Sequence, residues 1–279
     1  MRVHLLGVRG STPAPGIEFV RYGGFTSSVA ISHDGEPFPT LVLDAGTGLR
    51  RCSALFGDEP FKGTILLSHL HWDHTHGLPF FSAGDRLGSR VSVVVPQQLD
   101  GSGALEVLSR GMSPPHFPVS ADELRGEWTF MSLSPGTQEF EGFSVMTAEI
   151  PHKGGRTFGF RVSDGHSVLT YMPDHCPTDV GPGPQGLGEY HEQAMALCVD
   201  ADALLHDASL VAEEVEKEAY FGHAAAEYAV ELGRRSGVGK VILFHHKPDR
   251  TDDQLDAIAG RFGPDASVLL AAESMVLDL

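Results

Sequence analysis

Apolar residues recur along this chain in short, β-branched blocks separated by turn-forming stretches. Blocks of this length, bounded by Gly, Pro, Asp or Ser, read as strands buried in a core. They fall at 3–8, 25–32, 41–43, 64–67, 91–95, 128–133, 143–150, 157–162, 168–172, 203–205, 241–244 and 267–270, the last beginning the closing strand. Helical spacing or composition points to helices over 49–56, 96–109, 190–198, 224–235 and 252–262. The acidic stretch 213–218 reads as a lid, and Ser163-Asp164-Gly165 as a hairpin turn between two strands. No short repeat and no linker divides the chain. The order of strands and helices fits two similar sheet-plus-helix halves packed face to face and meeting near residue 140. The expected architecture is therefore one α/β domain over residues 1–279, layered αββα.

The polar residues cluster where these blocks stop. Directly after Thr64-Ile65-Leu66-Leu67 comes SHLHWDHTHGLP, which places His69, His71, Asp73, His74 and His76 within eight positions. Imidazole and carboxylate together suit zinc and related transition metals. Further candidates follow later strands: Pro151-His152, Pro173-Asp174, His206-Asp207 and His245-His246. Residues at the ends of neighbouring strands converge on one edge of a sheet, so they can share a site. Each alone is weak, because a lone His is more often a core or surface residue. The glycine-rich loop around Arg9 and Ser11 is more often a tight connection than a phosphate site, and His116 is read as a rim residue rather than a ligand.

The spacing His69-x-His71-x-Asp73-His74 resembles the signature of the metallo-β-lactamase fold superfamily, and so do the Leu43-Asp44-Ala45-Gly46 segment and the later strand ends. The resemblance implies an αββα sandwich of the metallo-β-lactamase type and a binuclear hydrolase, His71 standing where the di-iron oxidoreductases usually carry Glu. By similarity to the ribonuclease Z and phosphodiesterase-like branch, His69, His71 and His152 would hold one divalent ion. Asp73, His74 and His245 would hold a second, with Asp174 bridging; zinc is the first expectation, manganese or iron the others. His245 is preferred to His246 on the register Leu243-Phe244-His245, which resembles that branch's Leu-x-His. Asp44 is expected to brace the loop rather than ligate. A shared water would act as the hydroxide nucleophile, oriented by Asp73. His206-Asp207-Ala208-Ser209 and Gly222-His223 resemble the branch's His-Glu-Ala-Thr and Gly-His-Ser-Thr segments. Asp207 would then orient His223 as general acid. Asp in place of Glu and Ala224-Ala225 in place of Ser-Thr are departures.

Charge and spacing then narrow the substrate. Net charge is −17, without long runs of Lys or Arg, which repels polyanions. About twenty residues separate His152 from Asp174, and two strands with their turn use them up. That leaves no room for the long tRNA-gripping arm of ribonuclease Z. A small anionic substrate is expected, tRNA is not, and the first choice is a small phosphodiester such as a cyclic nucleotide. The alternatives are a lactonase or thioesterase acting on a carbonyl, and a metal-bound sensor module with little turnover. Lys153 and Arg156 are candidate anion contacts. Three scattered cysteines, no signal-like segment and no long apolar run suggest a cytoplasmic protein with no membrane partner. A homodimer is common in the superfamily.

Overall fold

The computed structural model describes all 279 residues. The first strands are β1 (Arg2–Gly7), β2 (Ser28–Ser32), β3 (Leu41–Leu43), β4 (Lys62–Leu66), β5 (Arg90–Pro96) and β6 (Glu127–Leu133). They lie side by side in chain order, antiparallel from β1 to β3 and parallel from β3 to β6. A second sheet holds β7 (Gly136–Phe140), β8 (Phe143–Glu149), β9 (Phe158–Ser163), β10 (Val168–Met172), β11 (Ala203–Asp207), β12 (Lys240–Phe244) and β13 (Val268–Leu270). Here β7 to β10 are antiparallel and β10 to β13 parallel. The last strand, β14 (Val276–Asp278), returns to pair with β1.

The two sheets face one another across a shared apolar layer. Leu5, Ile31, Leu43 and Leu66 from the first sheet meet Phe143, Phe158, Phe160, Tyr171 and Phe244 from the second. In the parallel strands β11 and β12, Ala203 to Leu205 and Val241 to Phe244 are buried at every position, which explains why they are continuous apolar runs rather than alternating ones. Helices Leu49–Cys52 and Ala104–Gly111 cover the outer face of the first sheet through Leu49, Val107 and Leu108. Glu192–Cys198, Ala226–Arg235 and Asp252–Arg261 cover the second through Leu197, Leu232 and Leu255. The result is the expected αββα layering. No helix is long and apolar enough to cross a membrane.

The structure departs from the expected elements in four places. Residues 97–103 are not helical: β5 runs through Pro96, and the Asp100 carboxylate accepts from the Ser102 amide in a turn. The helix begins only at Ala104, once Gly101 and Gly103 are past. Strand β7, rich in polar residues and exposed, carries no apolar signal, and the 25–32 block becomes regular only from Ser28. The segment 267–270 is the edge of the second sheet and not the closing strand, because the chain then crosses back as β14.

This topology sets up one polar edge. Strands β8, β10, β11 and β12 all run in one direction, so their C-terminal ends open on the same side. The two sheets are tied together there. The His246 amide donates to the Val8 carbonyl at 2.9 Å, the Gly10 amide to the His246 carbonyl at 2.9 Å, and the Phe158 amide to the Ser68 carbonyl at 2.8 Å.

Candidate metal centre

The loop after β4 folds sharply because Asp44, at the end of β3, gathers its donors. The Asp44 carboxylate accepts from the Ser68 amide at 2.7 Å, the Ser68 hydroxyl at 2.8 Å and the Tyr171 hydroxyl at 2.9 Å. It also takes His74 Nδ1–H at 2.7 Å, which leaves His74 Nε2 with its lone pair outward. The Ser68 hydroxyl, donating to Asp44, can accept from His69 Nδ1 at 3.0 Å, and this frees His69 Nε2 in the same way. Asp44 itself adopts φ 59°, a left-handed conformation that Asp tolerates better than most side chains. Asp73 and His74 lie on the short helical turn Trp72–Thr75, as expected for residues past the strand.

Residues from the second sheet meet this loop. His152 follows β8, Asp174 follows β10 and His245 follows β12. The His152 ring is fixed by Nδ1, 2.7 Å from the Gly222 carbonyl, so its Nε2 faces His71 Nδ1 at 3.3 Å. His245 Nε2 lies 3.1 Å from Asp73 Oδ2, and His74 Nε2 lies 3.2 Å from the same oxygen. The two oxygens of Asp174 divide: Oδ1 faces His152 at 3.5 Å, whereas Oδ2 faces His74 at 2.9 Å and His245 at 3.2 Å. His69, His71 and His152 thus form one group of possible ligand atoms and Asp73, His74 and His245 another, within 4.8 Å in each group. A further grouping joins Asp174, Asp207, His223 and His245. His246 points elsewhere, its Nε2 2.8 Å from the Ala271 carbonyl.

The chemistry of these groups fits cations. Nε2 of His69 is buried without a hydrogen-bond partner, although nearly all buried polar atoms in proteins have one, and His74 Nε2 and Asp174 Oδ2, 2.9 Å apart, are not aligned as a hydrogen bond. Burial holds the His69 imidazole well below its usual pKa, so it stays neutral with a lone pair. Burial would push Asp174 up, but His245, His74, His152 and His69 around it outweigh this and hold it well below the usual carboxylate range. Imidazole nitrogens and carboxylate oxygens converging on one point are a donor set for divalent ions.

Local backbone compromises support the cluster. His245 has φ 58°, a conformation that costs such a side chain about 1–3 kcal/mol. Its ring packs on Gly10, where any Cβ would come within 2.3 Å of it. Gly222, at φ 103°, similarly lies where a Cβ would meet the His152 ring at 2.9 Å.

His223 Nδ1 lies 3.0 Å from Asp207 Oδ2 and 3.6 Å from Asp174 Oδ1. Burial by itself would lower the His223 pKa; the carboxylates of Asp207, Asp174 and Asp73 outweigh it and raise the value to about 9. Asp207 is held in turn by the amides of Ser209, His175 and Ala224.

These groups open into a cavity of about 700 Å³. Its wall includes residues that sequence reasoning missed: Lys247, whose Nζ pairs with Glu218 at 2.7 Å, and the exposed rings of Trp72 and Phe221. Their only sequence signal was nearness to ligand positions. The 213–218 stretch is helical at Val215–Glu218, and Glu218 reaches the cavity wall. The loop at Arg9 is the tight connection expected of it: Arg9 is buried and donates to the carbonyls of Gly23 and Arg250, while the Ser11 amide reaches the site and donates to Asp73 at 2.7 Å. Two other expectations are corrected. Lys153 bonds the Tyr220 carbonyl and Arg156 bonds Glu149, and neither lines the cavity. Charge on a turn finds the nearest local acceptor, which spacing does not reveal.

A model of the beta-lactamase superfamily domain matches residues 40–246. Among curated relatives, a ribonuclease Z of Geobacillus kaustophilus is 27% identical, covering 89% of this chain and 87% of the relative. A ribonuclease Z of Haloarcula marismortui is 24% identical over 99% and 96% of the two chains. Among solved structures, the metallo-beta-lactamase fold protein YhfI from Bacillus subtilis superposes with a TM-score of 0.72 at 18% identity, over 99% of both chains. The short form of human tRNase Z gives 0.64 at 21% identity, over 100% and 99%.

Proposed function

The chain belongs to the beta-lactamase superfamily and is a hydrolase of that fold, and we propose that it holds two divalent ions, most simply zinc, and cleaves a small phosphodiester such as a cyclic nucleotide. His69, His71 and His152 would hold one ion, Asp73, His74 and His245 the other, and Asp174 would bridge them. The observation that carries the binuclear reading is the division of the Asp174 oxygens between the two groups. Bound ions would supply Lewis acidity and lower the pKa of a coordinated water toward neutrality.

The chain's own groups account for the rest. Asp73 lies beside both His74 and His245 and can orient the attacking water. A leaving alkoxide needs a proton, and His223 is placed to give one. Asp207 engages its Nδ1, so Nε2–H is the proton available to the departing oxygen. A carbonyl ester with a stable leaving group needs this donor less, which is why the Asp207–His223 pair favours the phosphodiester. The curated relatives are named as ribonucleases. In this chain, however, β9 and β10 occupy 158–172 of the segment between His152 and Asp174, and the overall charge is −17. Both features favour a small substrate over tRNA.

The test is hydrolysis of bis(p-nitrophenyl) phosphate by metal-replete protein, beside a lactone and a thioester, followed by an unactivated cyclic nucleotide. Diester turnover with loss of the cyclic-nucleotide activity in His223→Ala is expected. Lactone or thioester turnover indifferent to that change would move the assignment to carbonyl chemistry. Two bound ions with no turnover of any substrate would favour a sensor module.

A further inference from the structure

Beside the metal cavity lies a second cavity of about 540 Å³, within the usual range for small-molecule sites. The two share Leu70 and Trp72 as a common wall, so an occupant of one reaches the edge of the other. Their linings differ in kind. The metal cavity carries Asp73, Asp174, Glu218 and Asp249, whereas no carboxylate lines the second, in a chain with net charge −17. The second cavity is lined instead by the buried side chains of Leu78, Val107, Leu108 and Met112 and by aromatic rings beside them. Trp72 stacks on His76 with centroids 5.4 Å apart at 21°, and Phe80 meets Phe117 edge-on at 6.0 Å. Trp72 is 72% and Phe80 57% exposed. Large rings left open to water beside a polar site mark a surface that something apolar covers.

We propose that this second cavity binds a planar aromatic group carried on the substrate, while the polar end lies at the ion-holding residues. The inference rests on the hydrolase reading above and adds the substrate's second feature. Stacking rings, an absence of carboxylates and a shared wall are what such a group requires. An aliphatic chain would bury area but gain nothing from ring geometry.

The chain has two tryptophans, and Trp128 lies outside both cavities, so Trp128→Phe makes Trp72 the sole reporter. Metal-replete Trp128→Phe protein is titrated with dimethyl, dibutyl and methyl phenyl phosphate, and with 2-naphthol, which carries no phosphorus. Methyl phenyl phosphate is expected to change Trp72 emission and bind about tenfold or more tightly than dimethyl phosphate. It should also bind more tightly than the dibutyl ester, and 2-naphthol should give the same spectral change. Two additional changes separate the pocket from general damage. A Cβ at Gly111 in the lining meets nothing within 4 Å, so Gly111→Phe attaches a ring there without backbone conflict, and Phe117→Ala removes a wall. Each should erase most of the aromatic preference. Equal affinity for the three diesters, with no response to 2-naphthol, overturns the proposal, as does a preference that survives both changes. Failure of the hydrolase reading looks different: bis(p-nitrophenyl) phosphate is not turned over, yet 2-naphthol still perturbs Trp72.

Discussion

The two sheets deliver their polar groups to the cleft in opposite ways. The first supplies His69, His71, Asp73 and His74 from a single loop after β4, folded around one carboxylate, Asp44. The second supplies His152, Asp174 and His245 from three different strand ends, and Asp207 and His223 from a fourth strand and the loop beyond. The loop's candidate ligands are adjacent in the chain, and Asp44 braces them as a group. The strand-end residues are placed by topology, and their geometry depends on the sheet and on contacts between sheets, such as Gly10 against His245. Asp174 belongs to the second set by chain position yet faces both groups.

Asp174→Ala is the severest test of that difference. Because its oxygens face both groups, the change is expected to remove bound metal from both and to lower turnover by at least about a thousandfold. Metal analysis beside kinetics checks it; loss of a single ion would mean that the two groups are less joined than described. Next comes His223→Ala, expected to slow an unactivated diester by about 10²–10⁴-fold and an activated p-nitrophenyl ester far less, with metal content intact. Asp207→Asn sharpens the same point. A general acid with raised pKa works below that value and fails as pH rises through it, and Asp207 is the nearest charge raising His223. Removing that charge should move the alkaline limb of the rate profile to lower pH.

The local loop answers to a different residue. Asp44→Asn keeps the shape but weakens the acceptor for His74 Nδ1–H, and about a 10–100-fold loss of metal affinity is expected, read by competition with a chelator. Equal affinity would show that the loop holds its shape without Asp44. The smallest effect is expected for Lys153→Ala, within about twofold in kcat/KM, since Lys153 bonds the Tyr220 carbonyl outside the cavity. A large loss there would return Lys153 to the anion-binding role first expected of it.

Legibility in the sequence followed the same divide. The loop cluster stood out because ligand atoms adjacent in space are adjacent in the chain, and buried parallel strands announce themselves as continuous apolar runs. Polar edge strands such as β7, with no buried face to record, left no trace. Lys247 and Phe221 were missed because lying two residues from His245 and His223 does not reveal which side chains face the cavity. Lys153 and Arg156 were misjudged for the converse reason: a cation beside a ligand position resembles an anion contact until its own acceptors, the Tyr220 carbonyl and Glu149, are known.

By itself the sequence determined the strand-and-helix order, the His-x-His-x-Asp-His loop, and the habit of polar residues to follow apolar blocks. These are local properties, set by hydrophobic patterning and by turn chemistry. Only the tertiary structure decided which strand ends share an edge, which face of Asp174 meets which histidine, and that a second, aromatic cavity adjoins the first. The physical reason is that such geometry arises from sheet order and from packing between distant segments, and neither is encoded at any single stretch of the chain.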